Sequence, residues 1–164
     1  MLVGEVRFKC TKETARKVLK SEIDSISFKY FPFWISLASC KFPRIIFGPR
    51  EVLVRVIVDA VKGGVGTFEG EVQYSEKEIP SELRYEPRIT ETEARTLIEK
   101  FAKQTTMFKY KKVPIVEIRE LILFYKPIWV VTYLKNGKKY YGVVDGENGE
   151  VNYYLSNILN KLGV

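Results

Sequence analysis

The sequence predicts an α+β fold: two tandem helix-on-antiparallel-sheet units related by internal duplication. Three observations predict it. First, the chain repeats itself. Tyr30-Phe31-Pro32-Phe33-Trp34-Ile35 returns as Tyr125-Lys126-Pro127-Ile128-Trp129-Val130. Ile57-Val58-Asp59, followed by Gly63 and Val65, returns as Val143-Val144-Asp145, followed by Gly149 and Val151, and Thr11-x-x-x-Ala15-Arg16 returns as Thr90-x-x-x-Ala94-Arg95. The order is the same each time, and both tryptophans fall at matched places, which reads as one structural unit used twice. Second, the apolar period alternates between helical and strand spacing along the chain. Third, the clearest hairpin carries apolar residues on both faces, so each face needs a cover.

The first repeat spans residues 1–74. A short strand is expected near Val3 to Phe8, then a helix from about Lys12 to Ser21 with Ala15, Val18 and Leu19 inward. Strand Ser27 to Ala38 carries the Tyr-Pro-Trp motif, loop Cys40 to Pro49 holds Pro43, Gly48 and Pro49, and strand Glu51 to Ala60 carries Asp59. Gly63-Gly64-x-Gly66 follows a strand but precedes no helix signal, so it is no phosphate cradle. Thr67 to Tyr74 alternates apolar and polar residues and reads as a half-exposed strand. Residues 75–89 are charged, contain Pro80 and Pro87, and read as the linker.

The second repeat spans residues 90–164. Thr90 and Glu93 form a capping box, and Ala94, Leu97, Ile98, Phe101 and Ala102 lie on one stripe of a helix of about fifteen residues. Lys109, Lys111 and Lys112 then sit in a polar connection. Val116 to Phe124 reads as a strand of mixed pattern. Strands Ile128 to Lys135 and Lys138 to Asp145 flank Asn136-Gly137, a pair suited to a type I′ hairpin turn. Val151 and Tyr153 suggest a short last strand; Leu155, Ile158, Leu159 and Leu162 give an amphipathic tail helix ended by Gly163.

Composition narrows the function. The 164 residues carry a net charge of +7, which admits an anionic partner, nucleic acid or anionic lipid. Glutamates far outnumber aspartates, lysines are abundant and glutamine is scarce, a balance associated with heat-adapted proteins, so much of this charge is expected on a solvated, ion-paired surface. Histidine is absent, which removes the commonest general base and zinc ligand. Cys10 and Cys40 cannot build a structural zinc site and are expected as buried free thiols. The longest apolar stretch, Phe28 to Cys40, is interrupted by Pro32 and too short for a membrane span. Met1-Leu2-Val3-Gly4-Glu5 shows no secretory pattern, so a cytoplasmic location and no membrane partner are expected.

Few residues point to chemistry. Tyr30, Pro32 and Trp34, with Tyr125, Pro127 and Trp129, read as strand-edge proline and core aromatics, or else as a paired stacking platform. Asp59 and Gly63, with Asp145 and Gly149, read as strand-end turns; two carboxylates would serve acid-base chemistry only if the fold joined them. Asp145 to Glu150 lacks the ligand spacing of a calcium loop, so no metal and no cofactor is expected. Nucleophile, Walker and dinucleotide motifs are missing, so no enzyme is expected. The basic-aromatic groups are Lys109, Lys111 and Lys112 around Tyr110, and Lys135, Lys138 and Lys139 with Tyr140 and Tyr141. They offer lysines for phosphates beside rings for bases, as single-strand binding requires.

From Thr90 to Val151 the chain resembles the PepSY domain: Glu93-Ala94-Arg95 at a capped helix start, the Trp129 to Tyr133 strand, the Lys139 to Asp145 strand, and the Gly149-Glu150-Val151 turn. The first repeat shares the skeleton through Ala15, Trp34, Asp59 and Gly63. The resemblance implies a non-enzymatic binding or regulatory module. The expected partner is a protein or peptide held at a sheet edge or between the repeats, with nucleic acid on the Lys/Tyr hairpin as the alternative. An exposed sheet edge would also allow a homodimer.

Overall fold

A computed structural model describes residues 1–44 and 46–162. Its elements in chain order are β1 (Leu2–Gly4), α1 (Lys12–Leu19), β2 (Glu22–Phe42), β3 (Arg50–Asp59), β4 (Val65–Thr67), β5 (Tyr74–Glu76), a 3-10 turn (Ser81–Leu83), α2 (Glu91–Tyr110), β6 (Ile115–Lys135), β7 (Lys138–Asp145) and α3 (Tyr153–Leu162). The fold is α+β with a mixed sheet. Among the described residues no helix is long and apolar enough to cross a membrane.

The chain forms two compact units, neither continuous in sequence. One, the α1 unit, takes residues 1–31, residues 73–85 and the chain from Tyr125 onward; the other, the α2 unit, takes residues 32–72 and 86–124. Each 21-residue strand, β2 and β6, gives one half to each unit. In consequence α1 lies on the β6–β7 strands, far from it in sequence, and α2 lies on β2 and β3.

In the α1 unit, β6 and β7 pair antiparallel from Ile128↔Asp145 to Lys135↔Lys138 around Asn136 and Gly137, both at positive φ as a type I′ turn requires. Ala15 of α1 packs on Val131 and Val144 with Cys10, and Phe8, Leu19, Ile23, Ile26 and Trp129 close the rim. In the α2 unit, β3 pairs with β2 and with the short β4. Ala94, Ile98 and Ala102 of α2 pack on Ala38, Cys40, Phe42, Val56 and Val58, all buried. Small residues on each helix let it approach its sheet closely. Burial of a side chain such as Ile98 stabilises the fold by about 1.5–3 kcal/mol.

One knot of hydrogen bonds recurs in both units. Trp34 faces Val58 and Trp129 faces Val144 across the ladder. The residue after the strand-end aspartate donates to the motif proline: Ala60 N to Pro32 O at 3.1 Å, Gly146 N to Pro127 O at 3.0 Å. The carbonyl of that same residue accepts two amides from the segment before a helix. Ala60 O takes Arg88 and Ile89 (2.7 and 2.8 Å); Gly146 O takes Arg7 and Phe8 (2.9 Å each). The carbonyl of the second donor then accepts the indole: Trp34 Nε1 to Ile89 O at 2.9 Å, Trp129 Nε1 to Phe8 O at 2.8 Å.

The knot explains why proline sits inside two long strands. Along a strand, a residue's N–H and C=O leave on the same side. Pro32 and Pro127 therefore lack their N–H where the β3 and β7 ladders have just ended, at Phe33↔Asp59 and Ile128↔Asp145. The two strands expected on either side of Pro127 are thus one, and β2 runs beyond the expected Ser27 to Ala38 at both ends.

Other expectations need correction. The first strand stops at Gly4, because Arg7 and Phe8 turn their amides to Gly146 O. Most of Thr67 to Tyr74 is not strand: β4 ends at Thr67, Gly70 has φ +78°, and the Arg55 guanidinium holds the Gly70 carbonyl. Alternation there marks exposure without a ladder. Residues 75–89 are ordered chain: Ile79 is buried, Tyr30 and Arg84 form a parallel bridge, and Arg88 and Ile89 belong to the knot. α2 runs twenty residues to Tyr110, closed by Lys111 at φ 55°, so Lys109 is helical. Val151 makes a single bridge to Val144 instead of a strand. Gly163 lies outside the described residues.

Replacing either tryptophan by phenylalanine removes the indole bond and keeps most of the packing. Trp34→Phe and Trp129→Phe should each cost about 0.5–1.5 kcal/mol in urea unfolding. Gly149→Ala should cost more than Gly137→Ala: both glycines have positive φ, but a Cβ on Gly149 would sit 2.7 Å from the Phe8 ring, while Gly137 has open space.

Candidate binding surfaces

The two aspartates are engaged as turn formers. Asp59 Oδ1 accepts Val61 N at 2.8 Å and Lys62 N at 3.2 Å; Asp145 Oδ1 accepts Glu147 N at 2.8 Å. Each aspartate amide also donates to the carbonyl five residues on, Gly64 or Glu150, at 2.8 Å. Asp59 is in the α2 unit and Asp145 in the α1 unit. Asp145 has a further partner that no motif announced. Lys126 Nζ lies 2.7 Å from Asp145 Oδ2 and 3.2 Å from Glu147 Oε2. Burial works against the Lys126 charge; the Asp145 hydrogen bond and field, with those of Glu147, outweigh it and raise its pKa.

Cys10 and Cys40 are buried and free, as expected. Burial raises both thiol pKa values, against the hydrogen bonds of Thr14 and Thr106, so both stay protonated at neutral pH.

The basic-aromatic residues form two groups, in different units. Lys135, Lys138 and Lys139 are exposed at the β6–β7 tip of the α1 unit. Their tyrosines do not make one platform. Tyr140 stacks on Tyr133 (5.8 Å, 24°) on one face, while Tyr141 lies under Lys139 (5.8 Å) on the other. Lys109, Lys111 and Lys112 are exposed at the end of α2 in the α2 unit. There Tyr110 is held between Phe42, ring to ring at 5.2 Å, and the Arg50 guanidinium at 4.3 Å, with Lys109 at 5.5 Å. Of the repeat-signature residues, Tyr30 and Tyr125 are buried at 3% and 4% exposure, which makes them packing and not a stacking surface.

The strand edges separate the two units most clearly. In the α1 unit the outer edge of β7 is closed by side chains of α3. Ser156 Oγ accepts Val143 N at 2.8 Å. The Asn160 carboxamide accepts Tyr141 N at 2.8 Å and donates to Tyr141 O at 2.9 Å, standing in for a neighbouring strand. In the α2 unit, Phe68 N donates to Arg55 O, which puts the backbone groups of Arg55 on the outer edge of β3. By the period of two, those of Leu53 and Glu51 point the same way. Among the described residues neither has a backbone partner there, and Leu53 is 53% exposed. The sequence held a signal for the closed edge, a serine and an asparagine four apart on an amphipathic helix; it held none for the open one.

Among the described residues no three cysteine, aspartate or glutamate side chains gather as a metal site. No family model matches the chain. Neither does any curated protein or solved structure.

Lys126→Met should cost about 1–3 kcal/mol near neutral pH, because Asp145 loses a charged partner. A lysine of raised pKa gives its full stabilisation below its unfolded value of about 10.4 and loses it as pH rises through the folded value. The stability difference between wild type and Lys126→Met, from urea titrations, should stay level to about pH 10 and shrink above it.

Proposed function

We propose that the chain is a non-catalytic binding module, built from two copies of a PepSY-like helix-on-sheet unit, that takes an extended segment of a protein or peptide along the outer edge of β3. The observation that carries this is the contrast between the edges. An unpaired strand edge is a template for another strand, and proteins cover or blunt it. Here α3 covers β7 with a substitute amide at Asn160, while β3 presents Glu51 and Leu53. A bound strand would gain main-chain hydrogen bonds from those residues and apolar contact from Leu53. The shared ladder register, the proline carbonyl bonds and the indole bonds of the two units support the two-copy part of the reading.

The test uses proline. Leu53→Pro removes an N–H that faces outward, so the β2–β3 ladder is kept. Peptides selected from an extended-segment display library should lose at least about tenfold in affinity, or ~1.4 kcal/mol, on this variant. Unchanged affinity, with thermal melting showing the variant folded, would overturn the reading. Light scattering shows whether a second copy is the occupant: a dimer that Leu53→Pro dissociates puts this chain itself on the edge.

The hairpin supports a second reading, because Lys139 lies over Tyr141 and Lys135 and Lys138 flank the tip. Single-stranded DNA or RNA binding there should weaken steeply with salt and fall further in Lys138→Ala/Lys139→Ala. Binding indifferent to both would dismiss it.

A further inference from the structure

The α2 unit carries large apolar side chains that its own core does not use. Ile46 and Phe47, on the loop between β2 and β3, are 82% and 79% exposed. Phe108, in the last turn of α2, is 89% exposed, and Val113 and Ile115 just beyond are 59% and 66% exposed. Three contacts put these segments at one end of the unit. The β2–β3 ladder closes at Phe42↔Arg50, where the loop leaves. Tyr110, the last residue of α2, packs against the ring of Phe42 and under the guanidinium of Arg50. The end of α2 therefore lies near the loop base, with Phe108 on a different face of the helix from Tyr110.

The charge at this end is mostly basic, and the nearby Glu117 and Glu51 are paired with Lys41 and Arg119. Residues 41–50 contain Lys41, Arg44 and Arg50 and no acidic residue; residues 100–116 contain Lys100, Lys103, Lys109, Lys111 and Lys112 and again none. Elsewhere in the chain acidic side chains are frequent.

We infer that this end of the α2 unit docks on an anionic lipid bilayer. Ile46, Phe47 and Phe108 enter the interfacial layer, and Arg44, Arg50, Lys109, Lys111 and Lys112 meet the headgroups. Apolar insertion plus attraction to anionic lipid is how interfacial segments bind, and basic residues beside the apolar ones contribute through the surface potential. Two features favour a bilayer over a nucleic acid. Three of the five exposed side chains are aliphatic (Ile46, Val113, Ile115), and a base gains no stacking from those. Tyr110, the ring best placed for stacking, is already held by Phe42 and Arg50.

Flotation of the full chain with vesicles tests this. Phosphatidylcholine vesicles with about a third phosphatidylglycerol should carry the protein, and pure phosphatidylcholine vesicles should carry much less. Phe47→Ser/Phe108→Ser should lower partition into anionic vesicles about tenfold or more. Both side chains are exposed, so the variant should melt as wild type does. Lys109→Gln/Lys111→Gln/Lys112→Gln should weaken binding and its salt dependence, while Lys138→Ala/Lys139→Ala should leave it unchanged. No flotation with anionic vesicles would overturn the inference. So would flotation insensitive to the phenylalanine pair, which would mark adsorption by charge alone. Binding of oligo-dT that needs Phe47 and Phe108, without vesicle binding, would assign the same end to nucleic acid instead.

Discussion

The structure depends on one carbonyl in each unit, that of the residue after the strand-end aspartate. Ala60 O and Gly146 O each accept two consecutive amides from the segment leading to a helix. Those helices, α2 and α1, are far in sequence from the hairpins whose ends they join. This bond pair anchors Arg88-Ile89 to the end of β3 and Arg7-Phe8 to the end of β7, alongside the packing of Ile89 and Phe8 into the two cores. Once the amides are fixed, the carbonyl of Ile89 or Phe8 meets the indole N–H of the tryptophan beside it. Buried backbone groups must find partners, and here the partners specify the topology. The aspartate serves this arrangement by holding the turn that aims the carbonyl.

The same constraint accounts for the proline and for the unequal spacing before the two helices. The proline is compatible because its carbonyl is used and its missing N–H faces the end of a ladder. Before the helix, Ile89 is followed directly by the cap Thr90, while Phe8 is separated from Thr11 by two residues. The knot keeps its distances to within a few tenths of an ångström all the same, so it is set by the strand end and not by the spacing to the helix.

The sequence made the local elements legible and concealed their partners. The Asn136-Gly137 hairpin, the Thr90–Glu93 cap and the apolar stripe of α2 follow from nearest-neighbour physics, and all are where the pattern puts them. The continuity of β2 and β6 was hidden because a proline in a strand is read as a break unless the side facing the ladder is known. The Thr67 to Tyr74 alternation misled for the opposite reason: period two describes side chains, while strand identity needs a partner for the backbone. The packing of α1 on β6 and β7, and of α2 on β2 and β3, left no periodic trace, since either helix has an apolar face that would suit either sheet. Of the candidate surfaces, the lysines were legible as exposed. That Tyr140 and Tyr141 lie on opposite faces follows from adjacency in a strand and could have been read directly. The open β3 edge depends on where Phe68 leaves it, a tertiary fact.

The places where the units differ argue about function more sharply than those where they agree. Ladder register, proline bond, carbonyl fork and indole bond are common to both, and each has a structural task that would preserve it in any copy. Three of the differences bear on the surface. A two-residue Asn-Gly turn stands against a loop bearing Ile46 and Phe47. An edge filled by Ser156 and Asn160 stands against one open at Leu53. A motif lysine paired with Asp145 stands against Phe31 at the matching place in sequence. Two of the three, the loop and the strand edge, put apolar or unsatisfied surface on the α2 unit where the α1 unit has a tight turn and a capped edge. Folding alone gives no reason for that bias, because exposed Phe47 and an open strand edge lower solubility without adding to the core. On the proposed reading, the open edge and exposed loop of the α2 unit, which folding does not call for, are the surface a partner would use.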